Sequence, residues 1–312
     1  MKIGVTGGAG YIGSFLIKKL VDEGHSVVSI DNESIGDYRH LKELTLGDNV
    51  ELIIGDIRDK KKLVKIWGNC DAVVHLAALS NLEICNEQPE EAISVNIFGT
   101  HQVMETAKEL GIPKVVFCSS ASVYGEPEKL PVTEDSSLDT LNLYGVTKIA
   151  GEKIVNSYWL NDKIETVNLR FGNIYGIGLY TQWYAVIPKF VKQAIDGKKL
   201  TIYGDGEYTR DYIHLEDITL AIIKALVSKN LGGETFNLGG ETITVNQISN
   251  MVLKEYEKAT GKKPETINTP PRLGETKKFS YDLEKTRTML GLTNKWTVRE
   301  GIRQIIQFCL EE

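Results

Sequence analysis

The chain has 312 residues, a formal charge of −6 and four scattered cysteines, which suits one large folding unit or one with a smaller companion. Lys60-Lys61-Lys62 lies among Asp56, Arg58 and Asp59 and forms no nucleic-acid patch, and no apolar run is long enough to span a membrane. Cys70, Cys85, Cys118 and Cys309 lack metal or redox spacing, so the expectation is a reducing cytoplasm with no resident metal. The first predicted strand starts at residue 2, which leaves no room for a signal peptide.

Lys2 to Thr6 predicts a buried parallel strand, followed by Gly7, Gly10 and Gly13. Ile12, Phe15, Leu16, Lys19 and Leu20 then mark one face of a helix. Strand, glycine turn and helix N-terminus make a phosphate cradle. Gly7 permits the tight turn, Gly10 lets the backbone approach a pyrophosphate, and Gly13 lets the helix pack on the strand. A second strand, Val27 to Ile30, ends in Asp31, about where an acid holds the ribose 2′-hydroxyl of NAD.

A polar connection follows from Asn32 to Asn49. Val50 to Ile54 predicts a third strand, ending in Gly55-Asp56-Ile57, and Asp59 caps a helix running to Trp67. Asp71 to Leu76 reads as a fourth strand, with small Ala77 and Ala78 after it and His75 as a core histidine. Pro89 to Leu110 reads as one long helix carrying Asn96, Gly99 and Thr100. Val115 to Cys118 is a fifth strand running into Ser119-Ser120-Ala121-Ser122-Val123-Tyr124-Gly125, and Glu126 to Thr140 reads as a surface loop. A helix follows from Leu143 to about Leu160, then a strand over Ile164 to Leu169.

This alternation predicts an α/β fold with a doubly wound parallel (Rossmann) sheet over residues 1–175. Residues 176–312 read as a smaller mixed α/β unit closing over the strand ends. Within it come a helix from Trp183 to Ile195 interrupted by Pro188, strands Leu200–Tyr203 and Thr235–Leu238, and helices Thr244–Thr260 and Val298–Leu310. Leu215 to Leu226 is the segment expected to return to the main sheet as a helix.

Tyr144 and Lys148 stand at i and i+4 on one predicted helix and so share a face. A phenol near pKa 10 is a poor base at neutral pH. A nearby ammonium and a nicotinamide cation favour the phenolate, and a drop of ~3 units corresponds to about 4 kcal/mol. On that reading Tyr144 is an acid–base group.

Taken together, Gly7/Gly10/Gly13, Asp31, Gly55-Asp56-Ile57, His75-Leu76-Ala77-Ala78, Asn96, Ser119 to Gly125, Tyr144/Lys148, Asn173-Ile174-Tyr175-Gly176, Arg210 to His214 and Pro271-Arg272 resemble the extended short-chain dehydrogenase/reductases. Among these, the nucleotide-sugar epimerases of the UDP-glucose 4-epimerase kind are the most similar. The resemblance implies Ser120, Tyr144 and Lys148 as catalytic residues. It implies NAD as cofactor, with Tyr11, Ile12, Asn32, Asp56, Ile57, Leu76, Ala77, Ala78, Asn96 and Phe171 joining the three glycines, Asp31, Tyr144 and Lys148 around it. It places Ser80, Ser120, Ser122, Asn173, Val186, Arg210, Arg272 and Phe279 around a nucleotide-sugar substrate held by the C-terminal unit, with Phe279 limiting the size of the sugar. It also implies a homodimer paired through the helices over Glu91–Leu110 and Tyr144–Leu160, whose Ile93, Val103, Met104, Ile149, Ile154, Val155, Tyr158 and Trp159 are apolar on more than one face.

The implied reaction is 4-epimerisation of a UDP-sugar, either the glucose/galactose pair or the N-acetylated pair, through transient oxidation at C4. Related dehydratases carry Asp-Glu where this chain has Ala121-Ser122, which argues against elimination of water. Ile177 to Tyr184 departs from the 4-epimerase pattern and leaves base and sugar open. A uronic-acid epimerase, a decarboxylase, a 4-keto reductase and a non-catalytic NAD-binding regulator stay as alternatives. Asp31 disfavours the NADPH that a reductase would often use.

Overall fold

Seven parallel strands form the central sheet of the computed structural model, which describes residues 1–44, 47, 49–140, 142–271 and 277–311. The chain begins β1 (Lys2–Thr6), α1 (Tyr11–Asp22), β2 (Ser26–Asp31), α2 (Arg39–Glu43), β3 (Val50–Ile54), α3 (Lys60–Trp67) and β4 (Ala72–His75). Helices α4 (Leu82–Glu87) and α5 (Pro89–Ile93), a π-helical stretch (Ser94–Gly99) and α6 (Thr100–Leu110) lead to β5 (Lys114–Ser120). A 3-10 turn (Ala121–Tyr124), α7 (Leu143–Asp162), β6 (Glu165–Phe171), β7 (Asn173–Tyr175), α8 (Val186–Ile195), β8 (Leu200–Tyr203), β9 (Thr209–His214) and α9 (Leu215–Val227) follow. Last come β10 (Glu234–Leu238), β11 (Glu241–Thr244), α10 (Val245–Thr260), β12 (Thr266–Thr269), α11 (Glu284–Met289) and α12 (Val298–Glu311).

The central order is β10-β6-β5-β4-β1-β2-β3. The chain leaves β1 toward β2 and β3, then crosses back to place β4 on the other side of β1. That reversal opens a crevice beyond the carboxyl ends of β1 and β4, where ligands of open α/β sheets bind. Val and Ile dominate the inner strands, which are buried on both faces as a parallel sheet requires. One face packs against α1 and α9 through Leu16, Ile17, Leu20, Ile218 and Ile222. The other packs against α3, α6 and α7 through Leu63, Trp67, Val103, Met104 and Val155. A separate core joins α8, α10 and α12 to β8 and β9 through Phe190, Ile202, Val252 and Ile305. The strand order β11-β9-β7 and the pair β12-β8 complete the sheets among the described residues.

Several expectations need correction. The Thr235–Leu238 strand does not belong with the later segments, because β10 pairs with β6 at the edge of the central sheet. Pro188 does not interrupt its helix. It occupies the first turn of α8, where a missing N–H costs nothing. The Pro89–Leu110 helix is continuous, with a π-helical stretch over Ser94–Gly99 within which Asn96 is buried. The polar connection after β2 contains α2, with Tyr38 and Leu41 buried. The loop before α7 is not all surface, since Val132 is buried and bridges to Tyr281. Of the apolar residues thought to require a partner subunit, Val103, Met104, Val155 and Tyr158 lie in the internal core. Trp159 faces Gly232 and Gly233. Ile93, together with Phe98, Val146 and Leu160, is exposed.

Candidate active site

The glycine cradle forms where β1 gives way to α1. Gly7 adopts φ +75, and a Cβ there would lie 2.7 Å from the Ala77 nitrogen. A Cβ on Gly13 would lie 2.1 Å from the Gly7 carbonyl oxygen. These two positions exclude any side chain. Gly10 differs: its Cβ would meet nothing nearer than the Gly7 oxygen at 3.4 Å. Backbone is therefore laid bare on the side where α1 begins, with Tyr11, Ile12 and Gly13 in its first turn and no side-chain cap from Gly10. This arrangement fits the pyrophosphate of the expected dinucleotide. Tyr11 itself points away from the helix, its hydroxyl donating to the Gly176 carbonyl at 2.7 Å. It joins the cradle to the loop after β7.

The residues expected at the adenosine end are equally defined. Asp31 ends β2 and accepts N–H bonds from Ala9 at 3.0 Å and Glu33 at 2.8 Å. Burial raises its pKa, and these two bonds oppose the rise. Asp56 follows β3 and is held by a two-pronged contact from Arg58, at 2.9 and 2.6 Å. That pairing lowers its pKa, with a smaller contribution from Asn32, which places Asn32 and Asp56 together. Ile57 is buried beside them against Gly99. Leu76, Ala77 and Ala78 leave β4 half-buried at the crevice. Asn96 serves that loop from behind: its amide accepts from Leu79 N at 2.7 Å and donates to Leu79 O and Thr147 at 3.0 Å. His75 is a core residue, as expected, bonded to Thr6 and Thr100, and burial pulls its pKa down to about 3.

Ser120, Tyr144 and Lys148 converge where β5 ends. Asn142 caps α7 by accepting from Gly145 N at 2.8 Å, and Gly145 lets the first turn press against Ser122. Gly151 rests on the Phe117 ring, which brings α7 down onto β5. Lys148, 3% exposed, donates to the Cys118 carbonyl at 2.7 Å and lies 5.8 Å from the Tyr144 ring centroid. The Tyr144 phenol is hydrogen-bonded to Ser120. Its pKa is raised, because burial outweighs the Ser120 bond. Burial likewise lowers Lys148 itself to about 8. Phe171 closes this edge, opposite Ser120 in the β5–β6 register.

The residues assigned to the substrate occupy more open ground. Ser80 and Asn173 are exposed, and Val186 opens α8 half-buried. Ser122 lies within the 3-10 turn, its N–H donating to the Ser120 hydroxyl at 3.2 Å. Arg210, on β9, donates to the Thr209 carbonyl at 2.8 Å. Arg272 lies outside the described residues. Phe279 is 5% exposed and enclosed by Tyr124 and Tyr281, with ring centroids 6.1 and 4.9 Å away. Ala121, next to Ser122, touches the same cluster.

Sequence reasoning missed three connections: Tyr11 to Gly176, Tyr180 to Asp37, and a buried pair formed by Glu152 and Arg170. Only the last left a signal. Glu152 stands one turn beyond Lys148, on the face that had to be buried.

Residues 3–239 match the model of the NAD dependent epimerase/dehydratase family. A UDP-glucose 4-epimerase of Lactobacillus helveticus is 35% identical over 310 residues, covering 93% of this chain and 91% of that protein. The crystal structure of a UDP-glucose 4-epimerase from Thermotoga maritima with UDP-glucose superposes with TM-score 0.90 at 30% identity, covering 100% and 99% of the two chains. A UDP-glucuronic acid 4-epimerase from Bacillus cereus, solved with UDP-glucuronic acid and NAD, gives TM-score 0.89 at 30% identity over the same shares. Among the described residues no helix is long and apolar enough to cross a membrane, and no cluster of metal-ligating side chains occurs.

Proposed function

The chain belongs to the NAD-dependent epimerase/dehydratase family, and from that premise we propose that it is a UDP-sugar 4-epimerase with Tyr144 as the acid–base group. The observation that carries this reading is the meeting of Tyr144, Ser120 and a buried Lys148 ammonium at the end of β5, beside a cradle only backbone can line. NAD bound at Gly7, Gly10, Gly13 and Asp31 would supply reversible hydride acceptance. The protein's own groups do the rest. Tyr144 takes the proton of the sugar 4-hydroxyl and later gives it back. Ser120 holds the phenol oxygen through a hydrogen bond that favours the phenolate. Burial raises the phenol pKa, and the positive charge of a bound oxidised nicotinamide would act in the opposite direction. Lys148, fixed by Cys118, would add positive charge beside the phenol and would hold the nicotinamide ribose.

Substrate grip falls to Arg210 and Arg272, whose forked donors suit diphosphate oxygens, with Asn173, Ser80, Ser122 and Val186 around the remainder. The nucleotide must be held firmly while the hexose turns over between its two faces. The favoured substrates are the UDP-glucose/UDP-galactose pair and the N-acetylated pair, with Phe279 setting the choice through the wall it builds with Tyr124 and Tyr281. The structural likeness to an enzyme named for UDP-glucuronic acid keeps the uronic acid as the second reading. The protein is also proposed to pair through the helices over Glu91–Leu110 and Tyr144–Leu160, where Ile93, Phe98, Val146 and Leu160 are exposed; a monomeric mass by light scattering at micromolar concentration contradicts this. The activity is tested by incubating the purified protein with each of these UDP-sugars and reading products by NMR. Interconversion of at least one pair is expected, and no conversion of any sugar refutes the reading.

A further inference from the structure

Behind the proposed catalytic residues lies a set of polar groups that the reaction as described does not use. Glu152 stands one helical turn past Lys148 on α7. Its side chain is 3% exposed, and that of Arg170, on β6, is 5% exposed. The two meet as a fork, Arg170 Nε donating to Oε1 at 2.9 Å and Nη2 to Oε2 at 2.7 Å. Ser119, the chain neighbour of Ser120, donates to the same Oε1 at 2.6 Å. Arg170 Nη1 donates onward to the Tyr124 hydroxyl at 2.7 Å and the Glu134 carbonyl at 2.9 Å. Tyr124 in turn donates to Asn237 Oδ1 at 2.6 Å, and Tyr281 donates to the Arg170 carbonyl at 3.1 Å.

We propose that the Glu152–Arg170 pair is a positioning unit, clamping the strand end that carries Ser120 to the helix that carries Tyr144 and Lys148. The inference rests on the catalytic reading of those three residues. A buried ion pair is often no more stabilising than apolar residues of the same volume. What it supplies is direction. Three bonds to one carboxylate fix Ser119, and with it the backbone from which Ser120 reaches the phenol.

Charge adds a second effect. The groups that face Lys148 are Cys118 on β5, Cys85 on α4, His75 on β4, and Tyr144 and Glu152 on its own helix. Burial pushes both thiols and the phenol up and keeps His75 neutral. Glu152 is the one carboxylate in that set, and its charge opposes the loss of the Lys148 proton that burial favours.

The test uses Glu152→Gln/Arg170→Met, which removes both charges and strands neither, together with Ser119→Ala, which removes a single bond and leaves the pair. Lysine labelled with 13C at Cε is followed by NMR against pH, with the Lys148 signal assigned from Lys148→Met. In the wild type this signal is expected to titrate near pH 8. In the double variant its midpoint falls, and kcat falls about ten-fold or more while KM for the UDP-sugar stays within about two-fold. Ser119→Ala leaves the Lys148 midpoint in place and lowers kcat by roughly three-fold or more, about 0.6 kcal/mol at the barrier. A folded double variant with an unchanged Lys148 midpoint, or unchanged kcat in either folded variant, overturns the proposal. Should the double variant fail to fold, kcat of Ser119→Ala decides alone. A wild type that turns over no UDP-sugar, while the Lys148 midpoint moves as stated, refutes the proposed function and leaves the clamp on Lys148 standing.

Discussion

Gly7, Gly13 and Lys148 press against backbone or lie sealed in the core, whereas Ser80 and Asn173, proposed to meet the substrate, are exposed. The cofactor side is also bonded to itself: Asp31 to Ala9 and Glu33, Asp56 to Arg58, Lys148 to Cys118. A side built this way is preformed, with little freedom to lose on binding. The proposed substrate side is expected to have more to order when a ligand arrives, at its exposed Ser80 and Asn173. A fixed cofactor site beside an adaptable sugar site is a sound arrangement for a fold whose members act on different sugars at a common carbon.

The sharpest way to break this contrast is at Tyr144. Tyr144→Phe removes one oxygen and should lower turnover by about a hundred-fold or more, with NAD content and melting temperature unchanged. Rates above a few per cent of wild type assign the proton transfer elsewhere.

Two glycine variants test the preformed side. Gly13→Ala puts a methyl 2.1 Å from the Gly7 oxygen and should cost about 1–3 kcal/mol of stability, read as a lower melting temperature. Gly10→Ala meets nothing closer than 3.4 Å, so the fold should hold while NAD affinity drops about ten-fold. If both variants behave alike, the distinction between packing glycine and ligand-facing glycine is wrong.

On the adaptable side, Arg210→Ala should raise KM for the UDP-sugar about ten-fold, as loss of a charge-assisted bond of roughly 1.5 kcal/mol does, with melting temperature unmoved. A drop in stability without a change in KM makes Arg210 structural. Asp31 should give NAD the tighter binding over NADP in parallel titrations, since its carboxylate repels a 2′-phosphate; equal affinities contradict that. The smallest effect is expected at Phe279. Because the ring is buried with Tyr124 and Tyr281, Phe279→Ser should destabilise the fold and raise kcat/KM for the N-acetylated substrate only a few-fold, roughly 1 kcal/mol. A wild type that already handles both pairs equally well dismisses it as a gate.

Much of this was legible in the sequence because it depends on local chemistry. Glycine spacing, Asp31 at a strand end, the Asp59 cap and the Tyr144/Lys148 pair each follow from residues close in the chain. What stayed hidden depends on partners far apart. β10 reads as an ordinary short strand, and only its pairing with β6 puts it in the main sheet. Burial raises the Tyr144 phenol pKa, and spacing alone cannot show how deep a group lies. Phe279 carries no local mark of the aromatic cluster that encloses it.

In the proposed reaction the hydrogen at C4 leaves the sugar and returns to it without exchanging with water. UDP-glucose deuterated at C4 tests this directly, or the N-acetylated equivalent where that is the substrate. NMR of the epimerised product should show deuterium retained at C4 with no net accumulation of reduced cofactor. Replacement of the label by solvent hydrogen contradicts the account.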